Sequence, residues 1–229
     1  HRFLLDYVMR PDGIDRRTRD GKERWAALVE EAEGKTIITG DEYAACIAMA
    51  ESVRAHPVAR TYVEGAGSNE VAIQWTDPAI GACKGRLDRV AESPRAIVDV
   101  KTAREIESSA FGRQSARLLY HAQLSWYGEG WRVASGERDL RPCVILAVEN
   151  TAPYDVAVID VDEDSLEAGR VDVRRAVALL SECRASGVWP GRYPSRVPLI
   201  LPTWVFPHEG VDDLGLEFTD ESEGLYGRT

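Results

Sequence analysis

The sequence predicts an α/β fold in which helices pack against a β-sheet, and three observations lead to this prediction. Short strand-like runs lie at 69–76, 82–90 and 95–102; apolar residues alternate with polar ones in the first, and the last contains a nearly continuous apolar run. Longer stretches with helical periodicity and capping signals lie at 21–32, 41–55 and 165–186. With 44% hydrophobic and 29% charged residues, the composition is that of a globular domain. We expect one domain over residues 1–205 and an acidic tail over 206–229.

Two helices are predicted in the first quarter of the chain, after an irregular segment over 1–18. The first covers Gly21 to Ala32, with Gly34 as a stop signal. The second covers Asp41 to Ala55 and is ended by the His56-Pro57 pair. His56 has two interpretations, a structural histidine at a helix end and a residue of the site, and the structural one is favoured.

Strands and helices alternate through the rest of the chain. Asp77 to Gly81 forms a turn between the strands 69–76 and 82–90, and 95–102 is the central strand. A helix is predicted over 114–128, with Leu118 and Leu119 packed against the sheet. Strands 142–149 and 154–161 form a hairpin, and the helix over 165–186 stops at Gly187. From Val188 onward, Pro, Gly and Trp predict an irregular segment that wraps over the domain.

Three charged residues lie on the two predicted inner strands. Asp99 and Lys101 are two apart in an apolar strand, so their side chains leave the same face. Asp88 lies in the preceding strand, and pairing of the two strands would bring its carboxylate towards Asp99. Burial of either charge alone costs several kcal/mol or more, so each needs a partner or a ligand. Two adjacent carboxylates repel each other, and a divalent cation is the usual remedy.

A lone Asp-x-Lys is more often an ion pair on a half-exposed strand than a catalytic motif. Here a second pair accompanies it, since Gln123 and Tyr127 are four apart on a predicted helix and share one face. Asp88, Asp99-x-Lys101 and Gln123-x-x-x-Tyr127, in this order and spacing, resemble the core of the PD-(D/E)XK nuclease superfamily. That resemblance implies a central mixed β-sheet flanked by helices.

Within that superfamily the sequence most resembles the RecE-type (exonuclease VIII) exonucleases of phages and prophages. Further matching stretches include Arg2-Phe3, His56-Pro57, Glu70 with Trp75, and Trp189-Pro190-Gly191. The resemblance covers roughly residues 2–205. A catalytic histidine upstream occurs in related families. His1 is the only residue near that place, and the true counterpart is expected before this chain begins.

The resemblance also implies roles for individual residues. Asp88, Asp99 and the Val100 carbonyl would bind one or two Mg²⁺ or Mn²⁺ ions, for which hard oxygen ligands are suited. Lys101 would orient the attacking water and offset phosphate charge. Gln123 would hold Lys101 or the water, and Tyr127 would contact the DNA. Glu70 is a further candidate: a ligand of a second metal, a supporting group, or a plain surface residue.

The charge of the chain bears on DNA binding. The net charge is −10, which argues against a generally basic nucleic-acid binder. However, seven of the 38 acidic residues and none of the 28 basic ones lie in 209–224, which leaves a net of −3 elsewhere. We therefore expect a localised basic groove near the site. Its candidate residues flank Asp88 or precede Gln123, and they are Arg86, Arg89, Arg113 and Arg117.

The resemblance implies a metal-dependent exonuclease that digests linear double-stranded DNA from 5′ to 3′ and leaves 3′ single strands for recombination by annealing. It further implies a ring-shaped homo-oligomer, a single-strand annealing protein as partner, and a phage or prophage origin. No apolar run long enough to cross a membrane and no secretory signal is visible, so a place in the bacterial cytoplasm is expected.

Other functions remain open on the sequence alone. One is a RecB- or Cas4-like nuclease module of a larger complex. Four scattered cysteines without a C-x-x-C pair favour neither an iron–sulfur cluster, as some related nucleases carry, nor a disulfide framework. A different class is a non-catalytic DNA-binding protein on the same fold, against which the complete Asp88, Asp99 and Lys101 set argues.

Overall fold

A computed structural model describes residues 6–193, 195–202 and 205. The chain divides into two compact units, residues 1–187 and 188–229. The helices and strands described lie in the first unit. The strands are β1 (Tyr7–Met9), β2 (Thr36–Ile38), β3 (Gly67–Asp77), β4 (Gly81–Glu92), β5 (Arg95–Ala103), β6 (Cys143–Glu149) and β7 (Val156–Val161). The helices are α1 (Arg19–Glu31), α2 (Gly40–Ala55), α3 (Ala59–Glu64), α4 (Ser108–Leu118), α5 (Tyr120–Ser135) and α6 (Glu163–Ser186).

Strands β3 to β7 form one mixed sheet in sequence order. All its neighbours are antiparallel except β5 and β6, which run parallel with Asp99 beside Ile145. The parallel pair requires a crossover, and α4 and α5 supply it. The predicted α/β fold with a central mixed sheet flanked by helices is confirmed.

Apolar side chains cover both faces of the sheet, so helices lie on both sides. On one face Ile97, Ile145 and neighbours pack with Phe111, Leu124 and Leu166 of α4, α5 and α6. On the other face Val98, Val144 and Leu146 pack with Ala59 of α3 and with flanking residues of α2 and α3. Strand β5 is therefore buried from both sides, which explains why its sequence is an apolar run rather than an alternating one.

Close packing places α5 on the sheet. Gly130 lies against Trp75, and a Cβ atom added at Gly130 would meet that indole ring at 3.0 Å. Gly169 of α6 lies against the backbone of α5, where an added Cβ would be 2.4 Å from the His121 carbonyl oxygen. The glycine at 130 thus allows α5 to approach the sheet closely at Trp75, and the glycine at 169 allows α6 to approach the backbone of α5. Helix α5 carries Gln123, so these glycines also position the candidate site.

Local signals explain most element boundaries. Thr39 and Glu42 form a capping box at the start of α2, as the capping signal predicts. Helix α6 ends at Gly187 in the left-handed conformation, with φ of 70°. His56 accepts hydrogen bonds through Nδ1 from the amides of Val58 and Ala59. It thus stabilises the start of α3, in line with its favoured structural interpretation.

Several predictions of secondary structure are wrong. The single helix predicted over 114–128 is interrupted at Leu119, which has a φ of 58° and separates α4 from α5. Leu118 and Leu119 are about half exposed instead of packed on the sheet. The short strands β1 and β2, which pair in parallel through Val8 and Ile37, and the helix α3 lie in segments predicted to be irregular or left unassigned.

The second unit contains no α-helix or strand among its described residues, which are 188–193, 195–202 and 205. This agrees with the irregular segment predicted from Val188 onward. His1, Arg2-Phe3 and the acidic tail predicted over 206–229 lie outside the described residues. In the part of the chain that the structure describes, no helix combines the length and apolar character needed to span a bilayer.

Candidate active site

The candidate site begins where strands β4 and β5 separate. Their ladder ends at the pair Arg89 and Val98, although the same register continued would set Asp88 opposite Asp99. Instead, the Val100 amide donates its hydrogen bond to the Asp88 side chain and not to the β4 backbone. The distance from the Val100 nitrogen to Asp88 Oδ2 is 2.8 Å. The divergence opens a gap between two carboxylates that the ladder would otherwise press together.

Asp99 lies on the floor of this gap. Only 2% of its surface is exposed, and its Oδ2 is 2.7 Å from the Lys101 ammonium. That contact is an ion pair of poor angle, so Oδ2 lacks a well-aligned hydrogen bond. Burial raises the pKa of the Asp99 carboxyl, Lys101 opposes the rise, and the nearby Asp88 carboxylate adds to it. The arrangement leaves buried negative charge that a single ammonium balances incompletely.

Three groups hold the Lys101 side chain. Besides the Asp99 carboxylate, the Gln123 Oε1 atom accepts a hydrogen bond from Nζ at 3.0 Å. The ring of Tyr120 lies 4.7 Å from the same Nζ, in a cation–π contact. Gln114 in turn donates to the Tyr120 hydroxyl at 3.4 Å. Gln123 therefore occupies one of the two places predicted for it, beside Lys101.

Sequence reasoning missed Tyr120, although it precedes Gln123 by only three residues. On a continuous helix, Tyr120 and Gln123 lie on one side, so their spacing carried a usable signal. The break at Leu119 makes Tyr120 the first residue of α5, next to the strand that carries Lys101. Tyr127, by contrast, packs its ring over Gly85. A Cβ atom added at Gly85 would lie 3.2 Å from that ring. Its predicted contact with DNA stays a prediction.

A cleft of about 980 Å³ opens beside Asp88 on the α2 and α3 side of the sheet. Val100, Glu70, Arg86 and Arg54 line it together with Asp88. Glu70 adopts the left-handed conformation, with φ of 53°, at the β3 position that faces Asp88 in the register of β3 and β4. Its carboxylate is 2.9 Å from the Arg86 Nε atom. Glu70, for which the sequence left open a metal ligand, a supporting group or a surface residue, therefore lines the same cleft as Asp88.

A family model matches the sequence of this chain over most of its length. Residues 17–195 match the family described as "PDDEXK-like domain of unknown function (DUF3799)". The chain belongs to this PDDEXK-like family. The match includes every candidate site residue, from Glu70 to Tyr127, and thus confirms the superfamily to which the sequence motifs pointed. The narrower RecE-type resemblance stays a prediction.

Comparison with solved structures agrees at the level of the fold. The PDDEXK-like chain is similar to a crystal structure described as "Putative exonuclease" from Eubacterium rectale, with a TM-score of 0.56 and 16% identity over 86% of this chain and 77% of that one. At that identity the likeness shows a shared fold. The crystal structure of SSO0001 matches at 15% identity over 82% of this chain and 87% of that one, but its TM-score of 0.33 is too low to relate the folds. No curated protein sequence matches the chain.

The basic groove predicted for this PDDEXK-like chain needs correction. Arg89 is 7% exposed and donates to the Tyr62 carbonyl at 2.5 Å, the Asn69 side chain at 2.6 Å and the Gly65 carbonyl at 2.6 Å. Its predicted contact with DNA is therefore wrong, because the guanidinium is buried and fully engaged. Arg86 is exposed, but it is paired with Glu70.

The two other arginines of the predicted groove lie elsewhere. Arg113 and Arg117 are exposed, but they belong to α4 and not to the helix that carries Gln123. Helix α4 packs, through Phe111, on the sheet face opposite the α2 and α3 face. The four arginines thus do not form one groove around the site.

The donor set of the PDDEXK-like site fits a hard divalent cation in part. Asp99 offers a buried oxygen without a well-aligned hydrogen bond, and Asp88 lies beside it with acceptor capacity left over. Oxygen ligands of this kind suit Mg²⁺ or Mn²⁺. Among the described residues, no cluster of three or more His, Cys, Asp or Glu side chains could hold a metal. The backbone carbonyl of Val100 and water would have to complete the coordination.

The four cysteines are separate thiols. Cys46, Cys83, Cys143 and Cys183 are all free. Cys143 and Cys183 are buried, whereas Cys46 is exposed and Cys83 half-buried. Burial raises the pKa of the Cys143 thiol to about 12, so this sulfur stays protonated and packs as a small apolar group.

Proposed function

We propose that this PDDEXK-like chain is a divalent-cation-dependent nuclease that hydrolyses phosphodiester bonds of DNA. One observation carries the proposal: the buried Asp99 carboxylate lies between Asp88 and Lys101 at the point where β4 and β5 separate. A buried acid whose charge is only partly balanced is costly to keep unless a ligand uses it. The family match and the shared fold of the E. rectale protein, described as "Putative exonuclease", support the same function.

The residues of the chain would divide the work as follows. Asp88 and Asp99, with the Val100 carbonyl, would hold the cation. The chemistry that such an ion supplies is Lewis-acid activation of the phosphoryl group and of the attacking water. Lys101 would donate to a phosphate oxygen or to the water, and its charge would offset the negative charge that grows in the transition state. Gln123 and Tyr120 would keep the ammonium in place.

The finer proposal is a RecE-type exonuclease. In this form the chain would degrade linear duplex DNA from 5′ to 3′ with Mg²⁺ or Mn²⁺ and leave 3′ single strands for an annealing protein. A ring-shaped homo-oligomer and a cytoplasmic, phage-related setting belong to this proposal. Their support is the motif set of Asp88, Asp99-x-Lys101 and Gln123-x-x-x-Tyr127 within a chain of the matching family.

End-labelled linear duplex DNA tests both the general nuclease proposal and the finer proposal of a 5′ to 3′ exonuclease. With Mg²⁺ the wild-type chain should release label, and label at 5′ ends should be lost before label at 3′ ends. The Lys101→Ala variant should turn over about 100- to 1,000-fold more slowly, the scale for loss of one electrostatic stabiliser. Lys84→Ala is the matched control, because Lys84 is an exposed lysine of the neighbouring strand β4 and should leave turnover unchanged.

Cation binding gives a second readout that does not depend on cleavage. Ca²⁺ or Mg²⁺ at about 100 times its dissociation constant should stabilise the folded chain by about 2.7 kcal/mol. Asp99→Asn and Asp88→Asn should lose that stabilisation. Wild-type chain that leaves labelled duplex intact with both Mg²⁺ and Mn²⁺ would refute nuclease activity. Loss of the 3′ label before the 5′ label would refute the proposed 5′ to 3′ polarity but not the nuclease activity.

A further inference from the structure

We propose that Arg54 binds a phosphate of the DNA backbone and that the cleft beside Asp88 is where this backbone lies. The inference rests on the proposed nuclease function and adds a substrate-binding residue to it. Arg54 lies in the last turn of α2, far in sequence from the motif residues. It lines the same 980 Å³ cleft as Asp88 and Val100.

The cations around the cleft differ in whether they are free to meet a substrate. Arg89 is buried and donates to three protein acceptors. Arg86 is paired with Glu70 at 2.9 Å. Arg54 is exposed and has no hydrogen bond or ion pair to any residue that the structure describes. Among the described arginines that line the cleft, Arg54 is therefore the one without a hydrogen bond or ion pair to a described residue, although the carboxylates of Asp6 and Glu64 line the same cleft.

The walls of the cleft also suit a nucleic-acid backbone. Apolar side chains of Val53, Val63 and Val98 line the cleft together with the charged groups. A DNA strand alternates charged phosphates with largely apolar sugar rings, so such a surface can contact both. A guanidinium offers two parallel donors to a phosphate, which makes arginine suited to this contact. A phosphate at Arg54 would leave the strand directed along the cleft towards Asp88.

The location on the α2 face separates this proposal from the groove that the sequence predicted. Arg113 and Arg117 lie on α4, which packs on the other face of the sheet. A backbone bound at Arg54 approaches the site from the side of Asp88 and Val100. A backbone bound at Arg113 and Arg117 approaches from the opposite side. The two routes thus predict different sets of arginines that respond to salt.

Fluorescence anisotropy of a labelled blunt duplex, with Ca²⁺ in place of Mg²⁺, measures the contact. The slope of log K against log salt should fall in magnitude by about 0.9 in Arg54→Ala, which is the effect of one lost phosphate contact. Arg54→Lys should keep most of the slope because it keeps the charge. Arg60→Ala is the matched control: Arg60 is exposed on α3, lies 3.9 Å from Glu64, and should leave the slope unchanged.

Three results would overturn the inference: a wild-type slope in Arg54→Ala, a slope that falls only in the Arg113→Ala/Arg117→Ala double variant, and a wild-type chain that does not bind the duplex. Because Arg54 is exposed and makes no hydrogen bond or ion pair with a described residue, its variants should melt with the wild type, which a thermal scan checks. Binding that depends on Arg54 without cleavage in either Mg²⁺ or Mn²⁺ would support the inference and refute the nuclease. Cleavage by the wild type, together with a wild-type salt slope in Arg54→Ala, would support the nuclease and refute the inference.

Discussion

Arg86 and Arg89 flank Asp88, and the sequence gives no reason to distinguish their roles. The structure predicts that loss of Arg89 destabilises the fold and that loss of Arg86 does not. We consider Arg89→Met, which removes the guanidinium and keeps much of the side-chain volume. Arg89 donates three hydrogen bonds, to the carbonyl oxygens of Tyr62 and Gly65 and to the side chain of Asn69. Tyr62 lies in α3, Gly65 in the connection that follows it and Asn69 near the start of β3, so Arg89 fixes this segment to strand β4.

The expected cost follows from these contacts. A hydrogen bond from a charged donor contributes about 1.5–3 kcal/mol, and removing it leaves an acceptor unsatisfied. The three bonds share one side chain and are not additive, so we expect a loss of about 4 kcal/mol in the free energy of unfolding. For a domain of this size that is a fall in Tm of roughly 8–16 °C. Arg86→Met breaks only an exposed pair and should cost less than about 1 kcal/mol.

Urea denaturation followed by tryptophan fluorescence measures both variants, since the chain contains six tryptophans. Arg89→Met should unfold at a clearly lower urea concentration, whereas Arg86→Met should unfold with the wild type. A folded Arg89→Met chain should also keep the wild-type salt dependence of DNA binding. Equal stability of Arg89→Met and wild type would refute the structural role. A smaller salt slope in the folded variant would restore Arg89 as a contact with DNA.

Two further predictions concern Tyr120 and Glu137. Tyr120→Leu removes the ring beside Lys101 and should lower kcat about tenfold with little change in KM, since a cation–π contact contributes about 0.5–2 kcal/mol. Tyr120→Phe keeps the ring and should restore kcat, so equal losses in both variants would contradict the contact. The hydrogen bonds from Arg141 lower the pKa of Glu137 to about 2 from 4.5. That carboxylate therefore stabilises the fold above about pH 4.5, and the stabilisation is lost as the pH falls towards 2. Unfolding at pH 7 and pH 3 should show that Glu137→Gln removes about 2 kcal/mol of the pH dependence, and an unchanged dependence would contradict it.

The sequence by itself determined the elements that depend on local signals. Strand β5 is buried on both faces, and its apolar run is visible without any structure. Helix α2 begins where a threonine and a glutamate can cap each other, and α6 ends at a glycine. The order and spacing of Asp88, Asp99-x-Lys101 and Gln123 indicated the superfamily, because the chemistry of the site constrains those residue types directly.

Tertiary structure alone decided which side chains are free to act. Periodicity made 114–128 one helix, but the chain turns at Leu119, and only this turn places Tyr120 over Lys101. The short pairing of β1 with β2 joins segments almost 30 residues apart, so no local pattern reports it.

The arginines show the same limit most clearly. Arg86 and Arg89 look alike in the sequence, but the acceptors that bury Arg89 come from residues 62, 65 and 69, at separations of 20 to 27 positions. Arg54 lies 34 positions before Asp88 and reaches the cleft only because α2 packs beside the sheet. Charge and spacing predict which residues can bind an anion. Burial and pairing, which are properties of the folded chain, decide which of them are available.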